Sequence, residues 1–217
     1  MKIVVATPLF PPEIGDIATY TKNIVEHLKL KNQVQVLAYA GQVEKIPGVD
    51  IYTVNKKQIL FLRICKYFLK LLNLSQDADL IYVQNSIAVN LPAILVKIIT
   101  GKKIVINFIE DEAWKRARYL HLSDKSWENF LQKPEANLKI NLIRKLQVWT
   151  LKKADCVLAS SQALAQALSS GYRISPDRIA VNYPLIEAGL NLPFSQELQK
   201  GQIFVNSNLF IGVVWKS

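Results

Sequence analysis

The sequence predicts an α/β protein with a Rossmann-like, doubly wound parallel sheet and helices on both faces. Apolar runs rich in β-branched residues alternate with segments of helical periodicity, the order that produces right-handed β–α–β crossovers. Several of these runs are apolar at consecutive positions, as in parallel strands covered on both faces. Because both features recur along the chain, a parallel sheet is the expected architecture.

Six segments have the length and composition of strands. They are short, rich in Val, Ile or Leu, and separated by polar or helical stretches: Lys2–Ala6, Gln33–Ala38, Leu80–Gln84, Lys103–Phe108, Cys156–Ala159 and Arg178–Asn182. Five helices are predicted between them. The first begins at Ile17 and has one apolar stripe, and the others cover Ile59–Leu72, Val89–Ile99, Asn137–Lys152 and Gln162–Ser169. Ser160 and Ser161 precede the last helix and are expected to cap it.

Composition limits the classes of function. The 217-residue chain carries a formal charge of +10, which favours anionic partners such as a nucleotide, a phosphorylated lipid or a membrane surface. Its two cysteines and two histidines have no metal-ligand spacing, and no signal peptide or membrane-spanning run is visible. We therefore expect a cytoplasmic, metal-free protein without a bound cofactor. A peripheral position at a membrane is left open.

The predicted sheet indicates where a ligand would bind. In open α/β sheets, ligands occupy the crevice beyond the carboxyl ends of the strands. Three segments follow predicted strands and fall there: Thr7–Gly15, Gln84–Ser86 and Ile109–Trp114. These are the candidate binding loops.

Gly15 lies in a loop stiffened by Pro11 and Pro12. A glycine at this place lets the backbone approach a ligand closely, so the loop is a candidate for acceptor or phosphate binding. The alternative is an ordinary strand–helix connection in which proline limits loop entropy. Asp16 is assigned to the same substrate-binding set. We nevertheless expect its carboxylate to cap the first helix rather than to act as a base.

Glu110, Asp111 and Glu112 form the densest acidic cluster of this basic chain. Carboxylates at a cleft can bind sugar hydroxyls or accept a proton from an acceptor, and Trp114 is placed where it could stack on a sugar ring. The alternative is that the acidic residues occupy the first turn of a helix, where the helix dipole favours negative charge.

The segment Ile59–Leu72 carries Arg63, Lys66 and Lys70 at helical spacing on one face. This pattern fits a helix on an anionic membrane surface. The apolar arc is wide, however, which favours a core helix whose lysine stems extend over apolar surface.

Four segments together resemble glycosyltransferase family four enzymes with the GT-B fold. They are PLFPPEIGDIATYTKNIVEHL, INFIEDEAWKRA, IRKLQVWTLKKADCVLASSQAL and DRIAVNYPLIE, in the order of that family's N-terminal domain. The resemblance implies an acceptor-side domain over residues 1–192, and a linker with the first strand of an incomplete donor domain over 193–217. It also implies glycosyl transfer from a nucleotide-sugar co-substrate to a saccharide or lipid-linked acceptor, with retention of configuration and without an essential metal. Asp111 is carried over from the family motif as the candidate catalytic residue.

The sequence departs from the family pattern at ligand-facing positions. Gly15-Asp16 stands where two glycines are usual, Glu110 where glycine is common, and Tyr82-Val83-Gln84 where a His-Val-His type segment is found. These changes leave a second hypothesis open, a decayed or truncated homologue that binds a partner or membrane without catalysis. A nucleotide-dependent oxidoreductase is disfavoured because no G-x-G-x-x-G follows the first strand. Nucleic-acid binding has only the net charge in its favour, so no nucleic-acid partner is expected.

Overall fold

The computed structural model describes residues 1–132 and 137–182 and contains one seven-stranded sheet in which every neighbouring pair is parallel. The strands are β1 (Lys2–Thr7), β2 (Gln33–Tyr39), β3 (Asp50–Val54), β4 (Leu80–Gln84), β5 (Lys103–Phe108), β6 (Cys156–Ala159) and β7 (Ile179–Val181). Their order across the sheet is β3-β2-β1-β4-β5-β6-β7. The predicted Rossmann-like parallel sheet is therefore confirmed.

Seven α-helices connect the strands within the described residues. They are α1 (Asp16–Leu28), α2 (Leu60–Ser75), α3 (Ile87–Thr100), α4 (Glu112–Tyr119), α5 (Trp127–Gln132), α6 (Leu138–Lys153) and α7 (Gln162–Tyr172). The five predicted helices are present, and the Ser161 hydroxyl accepts a hydrogen bond from the Leu164 N–H as a cap. The short helix α5 and the edge strand β3 were not predicted, while α4 corresponds to the helix start given as the alternative for the acidic residues. Strand β3 alternates exposed and covered residues, so it lacks the continuous apolar run of the inner strands.

The helices form two layers of unequal size around the sheet. Alternate strand residues such as Val4, Ile81 and Ile104 share a core with α2, α3, α6 and α7. The residues between them, such as Val5 and Val105, face the opposite side, where they share a core with α1 and the loop segment around Ile46. Helices therefore lie on both faces, as predicted.

One interior contact compensates for a proline inside a helix. Pro92 lies within α3 and has no N–H to donate to the carbonyl of Ala88, four residues earlier. The Tyr39 hydroxyl at the end of β2 donates to that carbonyl at 2.9 Å. This contact attaches α3 to the carboxyl end of the sheet.

Replacing Tyr39 by Phe is expected to lower the free energy of unfolding by about 1 kcal/mol, because the Ala88 carbonyl loses its donor while the ring is kept. The effect should shrink in a Pro92→Ala background, where the helix supplies a donor of its own. Urea unfolding of the four proteins of this double-mutant cycle would measure the coupling. If the two substitutions change the free energy of unfolding additively, the Tyr39 hydroxyl does not compensate for the N–H that Pro92 lacks.

The boundary of the predicted division, between residues 192 and 193, and the whole of 193–217 lie outside the described ranges. The strand-like segment predicted near the C-terminus lies outside them as well. Both therefore stay predictions.

Candidate functional site

The three candidate loops lie along one rim of the sheet. They follow β1, β4 and β5, which are parallel and lie side by side in the sheet. Parallel neighbours are roughly 4.8 Å apart, so β1 and β5 are roughly 10 Å apart. The glycine-containing loop and the acidic segment therefore border the same crevice, the position where open α/β sheets bind ligands.

The loop after β1 ends at Gly15, which is the N-cap of α1. Its backbone has φ 157°, a conformation that residues with a side chain rarely adopt. Its carbonyl accepts from the N–H groups of Ala18 and Thr19 at 2.9 and 3.1 Å. The predicted capping by Asp16 is wrong, because Asp16 is exposed, lies one residue beyond the cap and makes no side-chain capping bond. Its charge still lies in the first turn, where the helix dipole stabilises it.

Asp111 is buried beneath the rim, with 2% of its surface exposed. One carboxylate oxygen caps α4 by accepting from the Trp114 N–H at 3.0 Å, and the other accepts from the Tyr172 hydroxyl. Burial, together with the charge of Asp111, raises the pKa of Tyr172, so its hydroxyl remains a neutral donor. Both oxygens of Asp111 are therefore engaged in structural contacts, and its predicted part in catalysis stays a prediction.

Glu112 connects two of the candidate loops. Its Oε2 accepts from the backbone N–H of Ile87 at 2.7 Å, at the start of α3, and its Oε1 accepts from Arg116 at 3.2 Å. Its own N–H donates to the Gln147 side chain at 3.0 Å. The loops are joined a second time by Asn85, whose Nδ2 donates to the Glu110 carbonyl at 2.8 Å. The alternative interpretation of the acidic residues, a helix start, thus describes Asp111 and Glu112.

Glu110 and Trp114 are the more accessible members of the acidic segment. The Glu110 carboxylate is partly exposed and pairs with Lys115 at 2.6 Å. The half-buried Trp114 donates from Nε1 to the Lys125 carbonyl at 3.1 Å, and the Arg118 guanidinium lies 5.6 Å from its ring centroid. Substrate contacts of both residues stay predictions.

We expect Glu112→Ala to lower the free energy of unfolding by about 1–2 kcal/mol, because the Ile87 N–H loses its charged acceptor. Glu112→Gln keeps an acceptor oxygen and should cost clearly less. Chemical denaturation of both variants measures this difference. Equal losses would show that the link between the loops is unimportant for stability.

A set of buried polar side chains lies at the same strand ends on the α1 face, and we call it the strand-end polar cluster. Asn107 of β5 donates to the Gln84 Oε1 of β4 at 3.0 Å, while the Gln84 Nε2 is buried without an acceptor among the described residues. The Tyr20 hydroxyl of α1 accepts from Asn182 at 3.4 Å. Burial raises the pKa of Tyr20, an effect opposed by hydrogen bonds with neighbours that include Asn107. The Thr7 hydroxyl completes the cluster through Thr21, at 3.3 Å.

The basic face of α2 is arranged differently from the prediction. Arg63 turns inward, with its guanidinium 5.2 Å from the Tyr39 ring centroid and a bond to the Lys56 carbonyl. Lys70 donates to the Thr53 carbonyl on β3 at 2.8 Å, so Lys66 is the exposed cation of the three without a described partner. The apolar arc of the expected core helix is buried only in part, because Leu60, Phe61, Leu62 and Leu69 are exposed.

Two features are missing from residues 1–132 and 137–182. No group of three or more His, Cys, Asp and Glu side chains there could hold a metal ion. No helix in these ranges is long and apolar enough to cross a membrane.

Solved structures with the same fold include a UDP complex and UDP-N-acetylglucosamine 2-epimerases. Anabaena Alr3699/HepE in complex with UDP and glucose has a TM-score of 0.56 at 15% identity, over 85% of this chain and 44% of that one. UDP-N-acetylglucosamine 2-epimerase from Rickettsia bellii has a TM-score of 0.57 at 8% identity, over 83% and 44%. The epimerase from Methanocaldococcus jannaschii gives 0.54 at 11% identity, over 83% and 45%. The chain spans a little under half the length of each.

The all-parallel sheet, its loop-lined rim and this partial coverage define one half of a GT-B fold. Identities this low establish the fold alone. The model of Glycosyltransferase Family 4 matches residues 17–189, and the chain belongs to that family. A search of curated protein sequences gives no match.

Proposed function

We propose that this chain forms the acceptor-side wall of a nucleotide-sugar-dependent glycosyltransferase that acts with retention of configuration. The acceptor is a saccharide or a lipid-linked sugar, as in the synthesis of polysaccharides or glycolipids. The observation that carries the proposal is the alignment of the Gly15 loop and the acidic segment on one rim of a family 4 domain. The UDP complexes of the Anabaena neighbour favour a uridine nucleotide as the donor's leaving group.

The site residues take different parts in this proposal. Gly15 brings the backbone close to the acceptor, and the exposed Asp16 carboxylate next to it accepts hydrogen bonds from acceptor hydroxyls. Glu110 and Trp114 face the sugar from the opposite side. Asp111 and Glu112 act as positioning residues, because their oxygens hold the starts of α4 and α3 in place. The donor-side wall comes from sequence outside residues 1–182.

A transfer assay tests the proposal. In this assay the chain is continued beyond Ser217 by the donor-side half of the enzyme, and we call this longer chain the extended protein. It would be incubated with labelled UDP-sugars and with saccharide or membrane-lipid acceptors. We expect labelled product from the extended protein and at least roughly 1,000-fold less from the 217-residue chain, because stabilising the transition state requires both walls of the cleft. No product with any acceptor would reject the enzymatic function.

A glycine substitution tests where the acceptor binds. Gly15→Ala in the extended protein is expected to lower kcat/KM at least roughly tenfold, because a side chain strains this backbone conformation and displaces the loop. Gly41→Ala is the matched control, since an added Cβ there meets nothing within 4 Å. Equal activity of the two variants would place the acceptor elsewhere.

The second candidate is a binding module without catalysis. It is favoured by the structural engagement of Asp111, the residue carried over as catalytic. In that case the extended protein would bind UDP-sugars or acceptors, for example by calorimetry, but would release no product.

A further inference from the structure

The start of α2 carries an apolar patch on the rim of the sheet. Ile59, Leu60, Phe61 and Leu62 are consecutive and exposed, with Ile59 and Phe61 exposed by 74% and 73%. Ile14, in the loop after β1, is 101% exposed. We call these five residues the apolar tip.

The two segments of the apolar tip are held next to each other. Glu13 forms an ion pair with Lys56, which joins the loop after β1 to the loop after β3. The Arg63 guanidinium donates to the carbonyl of Lys56 at 3.3 Å, so the first turn of α2 is fixed to the same loop. Because β1 and β3 run parallel, both loops leave the sheet at the rim that carries the candidate site.

The α2 side of the apolar tip is basic, whereas Ile14 is close in sequence to Glu13, which is paired with Lys56, and to the exposed Asp16. From Asn55 to Ser75 the chain has five Lys or Arg residues and no Asp or Glu. Lys57 and Lys66 are exposed and have no ion-pair partner among the described residues. Exposed large apolar side chains next to lysine ammonium groups are the combination that binds an interfacial protein segment to anionic lipid.

We propose that the apolar tip inserts into the headgroup region of an anionic bilayer while Lys57 and Lys66 contact lipid phosphates. A bilayer is favoured over a protein partner because the segment from Asn55 to Ser75 combines exposed apolar side chains with basic residues and contains no acidic ones. The location on the rim has a consequence that rests on the proposed function. The acceptor would be a lipid-linked sugar that enters the cleft directly from the membrane.

Vesicle flotation with the full 217-residue chain tests the docking. The probes are phosphatidylcholine vesicles with and without about 30% phosphatidylglycerol, at low and high salt. We expect flotation with anionic vesicles that weakens as salt rises. A chain that does not float with anionic vesicles at low salt overturns the proposal, and the tip would then cover a second copy or another part of a longer protein.

Two variant pairs identify the surface. Leu60→Ser/Phe61→Ser should reduce partitioning at least roughly tenfold, whereas Ile98→Ser/Ile99→Ser should not. Ile98 and Ile99 are similarly exposed but lie at the C-terminal end of α3, near the rim formed by the amino ends of the strands. Lys57→Glu/Lys66→Glu should likewise reduce partitioning. Lys139→Glu/Lys145→Glu on α6 should not, although it changes the net charge by the same amount. Circular dichroism verifies that every variant is folded, and equal flotation within either comparison overturns the proposal.

These outcomes are separate from those of the transfer assay. Vesicles without any sugar acceptor are sufficient for docking, so flotation without transfer would keep the membrane surface and reject the glycosyltransferase. Transfer by the extended protein without flotation of the 217-residue chain would support the glycosyltransferase and reject the membrane surface.

Discussion

Replacing Asp111 by Ala is expected to lower the free energy of unfolding by about 2–4 kcal/mol. The variant loses the cap of α4, which contributes about 0.5–2 kcal/mol, and leaves the buried Tyr172 hydroxyl without its acceptor, at a further cost of about 1–3 kcal/mol. Urea denaturation monitored by circular dichroism measures the loss. Asp124→Ala is a suitable control, because Asp124 is an exposed carboxylate in the same part of the chain.

The Asn substitution separates a structural role from a catalytic one. Asp111→Asn keeps an oxygen that can accept from the Trp114 N–H, and Asn is as good an N-cap as Asp, so we expect a smaller loss than for Ala. If Asp111 acts by positioning, transfer by the extended protein should fall less than about tenfold in this variant. A folded Asp111→Asn protein whose transfer falls 1,000-fold or more would instead make Asp111 a reacting group.

Tyr172→Phe completes the test. It removes the donor but keeps the ring, and its effect should not add to that of Asp111→Ala, because both variants remove the same hydrogen bond. Additive losses would mean that the contact between the two side chains contributes little to stability.

The sheet could be predicted from sequence because its inner strands are covered on both faces. Apolar and polar residues do not alternate in β1, β4 and β5. Continuous apolar runs of this kind are typical of strands in a parallel sheet that is buried on both faces. The edge strand β3 escaped prediction since it is covered on one face only. The same reasoning placed the Gly15 loop and the acidic segment correctly on one rim, because in a parallel sheet the rim follows from strand direction.

The contacts within the site could not be predicted in the same way. Asp111 and Glu112 could equally cap helices or face a cleft, and the decision depends on Tyr172 and Ile87, which are distant in sequence. Similarly, the exposure of the first turn of α2 depends on how far the neighbouring elements extend. Helical periodicity shows which residues share a stripe but not where the covering surface ends.

The strand-end polar cluster was accessible to sequence analysis but was missed. Thr7, Gln84 and Asn107 are polar residues at or next to the carboxyl ends of three apolar strands. Each lies two residues after a residue of its strand that faces α1. That shared parity predicts a common face in a parallel sheet. The order of the strands, which makes these residues neighbours, requires the structure.

Tyr67 is expected to give the second large effect, because it anchors α2 to the rim. It is fully buried, and its hydroxyl donates to the Leu37 carbonyl at 2.8 Å and lies 3.4 Å from the Thr7 carbonyl, at the carboxyl ends of β2 and β1. Tyr67→Ala should lower the free energy of unfolding by about 3–5 kcal/mol, through the cavity and the lost contacts. Tyr67→Phe should cost about 1 kcal/mol.

The Phe variant connects this packing to function. Since Thr7 begins the loop that leads to Gly15, and Tyr67 lies on the helix that carries the apolar tip, losing the hydroxyl should loosen both segments at once. Hydrogen exchange of the backbone amides in residues 8–15 and 59–63 should therefore rise in Tyr67→Phe but not in Tyr52→Phe, which alters a half-exposed tyrosine on β3. Unchanged exchange in both segments would show that the loop and the helix are held independently, and that the candidate cleft and the membrane-facing tip are not mechanically linked.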